Sequence, residues 1–280
     1  MKSNRLVLLL LAGLALAGCG KTRNITSPEA DDTALRSATP AILHGSVIAR
    51  GASGQDREFV PRSDNPLFPL VPGTVFRYRS ETEDGVETQV VTVTRETRRI
   101  AGVNTIVVKD VVRLDGKVIE RTSDYFAMDE EGNVWYFGED TRSTDPETGE
   151  VSTDGSWRAG EDGAGAGIIM KAHPQMGDTY KEEDAPGVAE DMARVIALDA
   201  SADVPYEQFT GCLETENFTP LEPGVTENKF YAPGVGLVLE VDADNARNEL
   251  VSVRRTGSDD GDEDEKDPSS GGRRRGRGAD

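Results

Sequence analysis

The chain has 280 residues, 51 of them acidic against 31 basic, giving a formal net charge of −20. Such a charge favours solubility and excludes a general nucleic-acid binder, because phosphate contacts need a basic surface. Two cysteines and two histidines exclude a disulfide scaffold and leave too few ligands for an ordinary zinc site. At the amino end, Met1 to Arg5 is a charged start and Leu6 to Ala17 an apolar run, followed by small residues. This is the anatomy of a signal peptide, and the run is shorter than the roughly 20 residues of a membrane span. The stretch ALAGCGKT (15–22) also approaches a phosphate-binding P-loop, with Ala15 in place of the first glycine. A P-loop needs a buried strand before it and a helix after it. The following NITSPEADDT, with Pro28, opens no amphipathic helix, so the nucleotide reading is set aside.

Composition then divides the chain into 1–18 (signal), 19–62 (flexible tether), 63–256 (folded domain) and 257–280 (an acidic, then Arg-rich, disordered tail). Within the domain, Asp84-Gly85 and Asp115-Gly116 read as hairpin turns between β-branched runs such as QVVTVT (89–94) and NTIVVKDVVRL (104–114). KVIERTSDYFAM (117–128) continues the pattern, and EEGN (130–133) turns the chain into VWYFGED. GVAEDMARVIALD (187–199), the nearest approach to a helix, becomes β-branched and is read mostly as strand. The domain is therefore all-β, an antiparallel meander expected to form an open or half barrel, or two packed half-sheets.

It also repeats itself. Gly73 and Phe76 recur as Gly177 and Tyr180 at an offset of 104, DYFA (124–127) as KFYA (229–232) at 105, and GNVWY (132–136) as GLVLE (236–240) at 104. Two similar halves, about 70–140 and 174–254, joined by a looser 141–172 segment, account for this.

Leu16-Ala17-Gly18-Cys19 resembles the lipobox of bacterial lipoproteins. The resemblance implies cleavage between Gly18 and Cys19, with diacylglycerol on Cys19 and a further acyl chain, such as palmitate, on the new amino terminus. Several chains together anchor a protein stably in a bilayer. Losing Lys2 and Arg5 with the signal takes the net charge from −20 to −22. Gly20, where inner-membrane lipoproteins commonly carry aspartate, implies the outer membrane in a Gram-negative cell, and otherwise the outer face of the cytoplasmic membrane. The domain is similar to the half-barrel folds of periplasmic lipoprotein carriers. It also resembles a family of uncharacterised secreted bacterial proteins, through NPLFPLVPGTVFRY, DEEGNVWYFGED, PGVAEDM and YAPGVGLV, which implies no particular activity.

The candidate chemistry is sparse. Cys212 falls, in the repeat, on the position of Ile106, and reads as a core thiol. His44 lies in the tether and His173 in the domain, with no cysteine pair beside either. Glu139-Asp140 and Glu190-Asp191 are adjacent acids whose side chains point to opposite faces of a strand. VDADN (241–245) reads as a turn, DDGDEDEKD (259–267) as a solvated run, and GEDGAGAG (160–167) as a mobile loop. Trp135 and Phe137 share one face of their strand and Tyr136 takes the other, as core and surface, with a ligand cleft as the less common use. Arg273, Arg274, Arg275 and Arg277 offer a contact to an anionic envelope surface.

No nucleophile–base pair, metal cluster, cofactor loop or catalytic residue emerges, so no enzyme and no cofactor is expected. The expectation is an envelope lipoprotein that holds an apolar or amphiphilic ligand against a concave sheet, driven by roughly 25 cal/mol per Å² of apolar area. A structural or protein-interaction module without a small ligand is the alternative.

Overall fold

The computed structural model describes residues 47–50 and 56–255. The expected signal segment with Gly18, the expected lipidation site Cys19, His44 and the tail with its four arginines lie outside the described residues.

Strand alternation governs everything that is described, and no residue there is helical. A short pair, β1 (Val47–Arg50) and β2 (Asp56–Val60), precedes a meander of β3 (Thr74–Thr82), β4 (Gly85–Ile100), β5 (Val103–Leu114), β6 (Lys117–Asp129) and β7 (Val134–Thr144). Three short strands follow, β8 (Val151–Ser152), β9 (Trp157–Arg158) and β10 (Gly165–Met170). The second meander runs through β11 (Thr179–Lys181), β12 (Glu183–Asp184), β13 (Met192–Asp203), β14 (Gln208–Phe218), β15 (Thr226–Ala232), β16 (Gly236–Asp242) and β17 (Arg247–Arg255). Accumulated twist curls the sheet until β17 pairs with β3, from Asn248 opposite Ser80 to Arg255 opposite Thr74. On the other side β7 pairs with β10, β10 with β12, and β11 with β13, so the barrel is nearly closed.

The two halves are visible in this ladder. The joining segment's β10 bridges them, pairing with β7 of the first half and β12 of the second, and on the other side β17 of the second half pairs with β3 of the first. The matched glycines are anchored alike, Gly73 N–H to Val93 O at 2.8 Å and Gly177 N–H to Val195 O at 3.0 Å.

Three sequence expectations need correction. The sheet begins inside the expected tether: β2 pairs with the end of β6, and Phe59 is buried edge-on against Trp135 and Phe137. A single aromatic in a stretch of small polar residues hid this strand. GEDGAGAG is not all loop, because Gly165, Ala166 and Gly167 open β10. A Cβ on Gly167 would stand 2.1 Å from the Glu182 carbonyl, so only glycine lets the two backbones meet there. The first hairpin turns at Glu83-Asp84, one residue early, with Thr82 opposite Gly85. Asp115-Gly116 turns as expected, both residues at positive φ.

Candidate functional site

The concave face of the barrel is filled by the protein's own side chains. Direct cross-strand neighbours on it include Phe76 and Val91, Val93 and Val108, Ile106 and Phe126, and Leu213 and Tyr231. Phe126 stacks on Tyr136 with ring centroids 4.7 Å apart, and Phe68 and Trp157 meet these two rings edge-on. Tyr136 is buried among them, and β2 buries Phe137 on the opposite face, so only Trp135 of the three stays partly exposed.

Farther along the same face the lining becomes polar. Thr215, Lys229, Glu240, Asn248, Ser80 and Glu87 stand opposite one another in turn across β14, β15, β16, β17, β3 and β4. Asp110, Thr122 and Thr141 do so across β5, β6 and β7. All nine side chains are buried. Asn248 donates to Glu240 at 2.8 Å and to Gln89 at 2.9 Å, and Gln89 donates on to Asp110. Asn217 donates to Glu182 at 2.6 Å, and Trp157 Nε1 to Glu183 at 3.4 Å.

The belt cannot be fully ionised. Tyr136 Oη lies 2.7 Å from Asp124 Oδ1 and 2.7 Å from Glu139 Oε2. One hydroxyl donates one proton, so the second short contact needs a proton on a carboxyl group. Burial, above all, raises these acids. Asp124, Glu87 and Glu240 are pushed up to about 7 and Glu182 to about 8. Asp110, Glu139 and Glu183 rise well above the carboxylate range, with repulsion from neighbouring acids adding to the effect of burial. Among the described buried residues Lys229 is the one cation. It takes the place of Asp124 in the repeat, where KFYA matches DYFA. Asp110, Asp124, Glu182 and Glu183 each keep one buried oxygen without a hydrogen-bond partner. Among the described residues no three His, Cys, Asp or Glu side chains are grouped to hold a metal ion.

Outside the barrel, a cleft of about 270 Å³ lies over β9 and the β10–β12 junction, with Trp157, Ala164 and Ala185 among its lining and Asp140 and Arg158 at its edge. Asp140 accepts from Tyr125 Oη at 2.7 Å and also binds Arg158, whereas Glu139 points into the barrel, as the alternation of strand side chains requires. The other singled-out residues are scattered. Cys212 is free and fully buried opposite Ala200, and burial pushes its thiol up. His173 is exposed. Glu190 caps a turn through Gly187 N–H at 2.7 Å, and Asp242 of VDADN accepts Asp244 and Ala246 N–H at 2.9 and 2.8 Å. Sequence reasoning missed the acid belt. Its one signal is period two, since Glu87 and Gln89 share a face with Val91 and Val93.

No family model matches the chain, and no curated protein matches it. Among solved structures it is similar to a Bacteroides fragilis protein described as exported and as having a YmcC-like fold, with TM-score 0.41, 14% identity, and coverage of 68% of this chain and 99% of that one. It is also similar to a Parabacteroides distasonis protein described as a lipoprotein, with TM-score 0.36, 13% identity, and the same 68% and 99% coverage.

Proposed function

We propose that the chain is a cell-envelope lipoprotein, anchored through acylated Cys19, whose barrel serves as a structural or protein-interaction module. One observation carries the second part: the concave face that a carrier would offer to a lipid is occupied by Phe126, Tyr136, Tyr231 and their neighbours, each at most 2% exposed. A long acyl chain would have to displace that packing, at a cost of several kcal/mol for each large side chain removed from its site. The lipobox carries the first part, and Gly20 favours the outer membrane in a Gram-negative cell. The tail arginines add an electrostatic contact to anionic lipid or cell-surface groups, each worth on the order of 1 kcal/mol near a membrane.

A second reading has its own support in the cleft beside Trp157, whose volume of about 270 Å³ suits a small amphiphile. The test expresses the full chain in a Gram-negative host fed an alkyne-tagged fatty acid, alongside Cys19→Ser, followed by native mass spectrometry of the detergent-extracted protein. The module reading expects label on the parent chain alone and a mass equal to polypeptide plus its acyl groups. A stoichiometric co-purifying hydrophobe returns the carrier reading to first place. Label on neither chain removes the anchor.

A further inference from the structure

The barrel wall is thin where β10, from the segment joining the halves, meets β12 of the second half. Only Gly165 opposite Asp184 and Ala166 opposite Glu183 join these strands, whereas the β4–β5 ladder runs from Glu87 opposite Leu114 to Ile100 opposite Val103. Immediately beyond, Gly167 lets its backbone pack directly against that of Glu182, with no room for a Cβ. Directly behind this seam stands a group of buried acids. Glu183 belongs to the seam itself, and Glu139 of β7 and Asp124 of β6 lie close enough to share Tyr136 between them. Trp157 of β9 closes the group from the cleft side, donating to Glu183 and resting edge-on against Tyr136.

We propose that this seam is a proton-operated latch: the β10–β12 junction stays shut while Asp124, Glu139 and Glu183 hold protons, and opens when they lose them to solvent. The surroundings supply little else to balance that charge. Facing the group are Asp110 from β5, Glu120 from β6, Tyr136 from β7, Glu182 between β11 and β12, and Asp191 before β13. Among the described buried residues Lys229 of β15 is the one cation; its Nζ lies 2.9 Å from Glu227 and 3.8 Å from Glu240, and its charge also acts on Glu183. Burial is the largest influence on all three acids and repulsion from neighbouring acids adds to it: Asp124 is pushed up to about 7, and Glu139 and Glu183 rise well above the carboxylate range.

Ionised, the three repel one another and seek water, and separating β12 from β10 relieves both strains at the cost of a two-pair ladder. The opened seam joins the outer cleft to the aromatic stack of Phe126 and Tyr136. This gives an otherwise filled barrel a conditional entrance, and the device is independent of how the chain is anchored.

Hydrogen exchange of the full chain at pH 5, 7 and 9, corrected for the chemical exchange rate, tests the latch. Exchange through opening in 165–170 and 179–184 is expected to rise tenfold or more from pH 5 to pH 9 beyond any rise in β4 and β5. In Glu139→Gln/Glu183→Gln the rise should disappear. Constant protection of the seam, an equal loss throughout the barrel, or an undiminished rise in the double variant overturns the proposal. Should that variant fail to fold, Trp135→Phe leaves Trp157 as the sole tryptophan. Its emission should move to the red above pH 7 and return on acidification, and an emission unchanged from pH 5 to pH 9 overturns the latch equally.

Discussion

Lys229 lies 3.8 Å from Glu240, its direct cross-strand partner, with both side chains about 6% exposed. Removing one partner of such a pair leaves a buried charge uncompensated, which typically costs about 3–5 kcal/mol. Lys229→Met should therefore lower stability by that order at pH 8. The loss should shrink at pH 5, where Glu240 and Glu182 already carry protons. Adding Glu240→Met should restore part of the loss at pH 8. Guanidinium unfolding of the three proteins at both pH values gives the comparison, and a Lys229→Met penalty independent of pH would show that the lysine acts by packing alone.

Whole-domain stability should fall as the medium turns alkaline. Glu87, Asp124 and Glu240 rise to about 7 and Glu182 to about 8, each chiefly because it is buried. A raised acid contributes in full below its unfolded value near 4 and loses that contribution as pH rises through the folded value, at roughly 1.4 kcal/mol per unit of difference. The decline from these four should therefore span about pH 4 to 8. Asp178 has the opposite sign: its hydrogen bond from Lys171 holds it below the usual range, so its contribution is lost only as strong acid protonates it. Denaturant midpoints between pH 3 and pH 9 should peak near pH 4. A peak near pH 8 would mean that the belt ionises freely.

Gly138 marks the place where β9 crosses against β7. It has φ of 123°, and a Cβ there would lie 2.2 Å from the Trp157 carbonyl oxygen. Gly177 also has positive φ, but nothing lies within 4 Å of the Cβ position. Gly177→Ala should thus cost only the backbone strain of about 1–2 kcal/mol. Gly138→Ala must also move a strand and should exceed it, at about 3 kcal/mol or more. Thermal unfolding followed by circular dichroism ranks the two, and equal penalties would mean that β9 yields freely.

The parts of this fold legible in the sequence are those encoded locally. Asp115-Gly116 names its own turn, the β-branched run of β5 names a strand, and the offset between Gly73 and Gly177 names the repeat. The acid belt was hidden because period two assigns residues to a face without saying which face closes inward. Glu87 and Gln89 look like solvent positions until β17 meets β3 and places Asn248 beside Gln89, 159 residues away in sequence. Phe59 was missed for the opposite reason: its partners Trp135 and Phe137 form the outer face of the barrel, where no core was sought.

Cys212 illustrates how the repeat constrains chemistry. Its alignment with Ile106 predicts a core position, and the thiol is fully buried with its pKa raised mainly by that burial. Thiolate is the reactive form, so both effects suppress reaction. In the full chain carrying Cys19→Ser, Cys212 is the remaining thiol of the two in the sequence. It should be inert to an aromatic disulfide reagent in the native state at pH 8 and should titrate as one thiol in guanidinium. Cys212→Ser should lower stability by about 1–3 kcal/mol, since it buries a hydroxyl beside apolar neighbours such as Leu213 and Ala202. Rapid native labelling would instead mean that β14 opens on its own at this point, and the serine variant would then cost little.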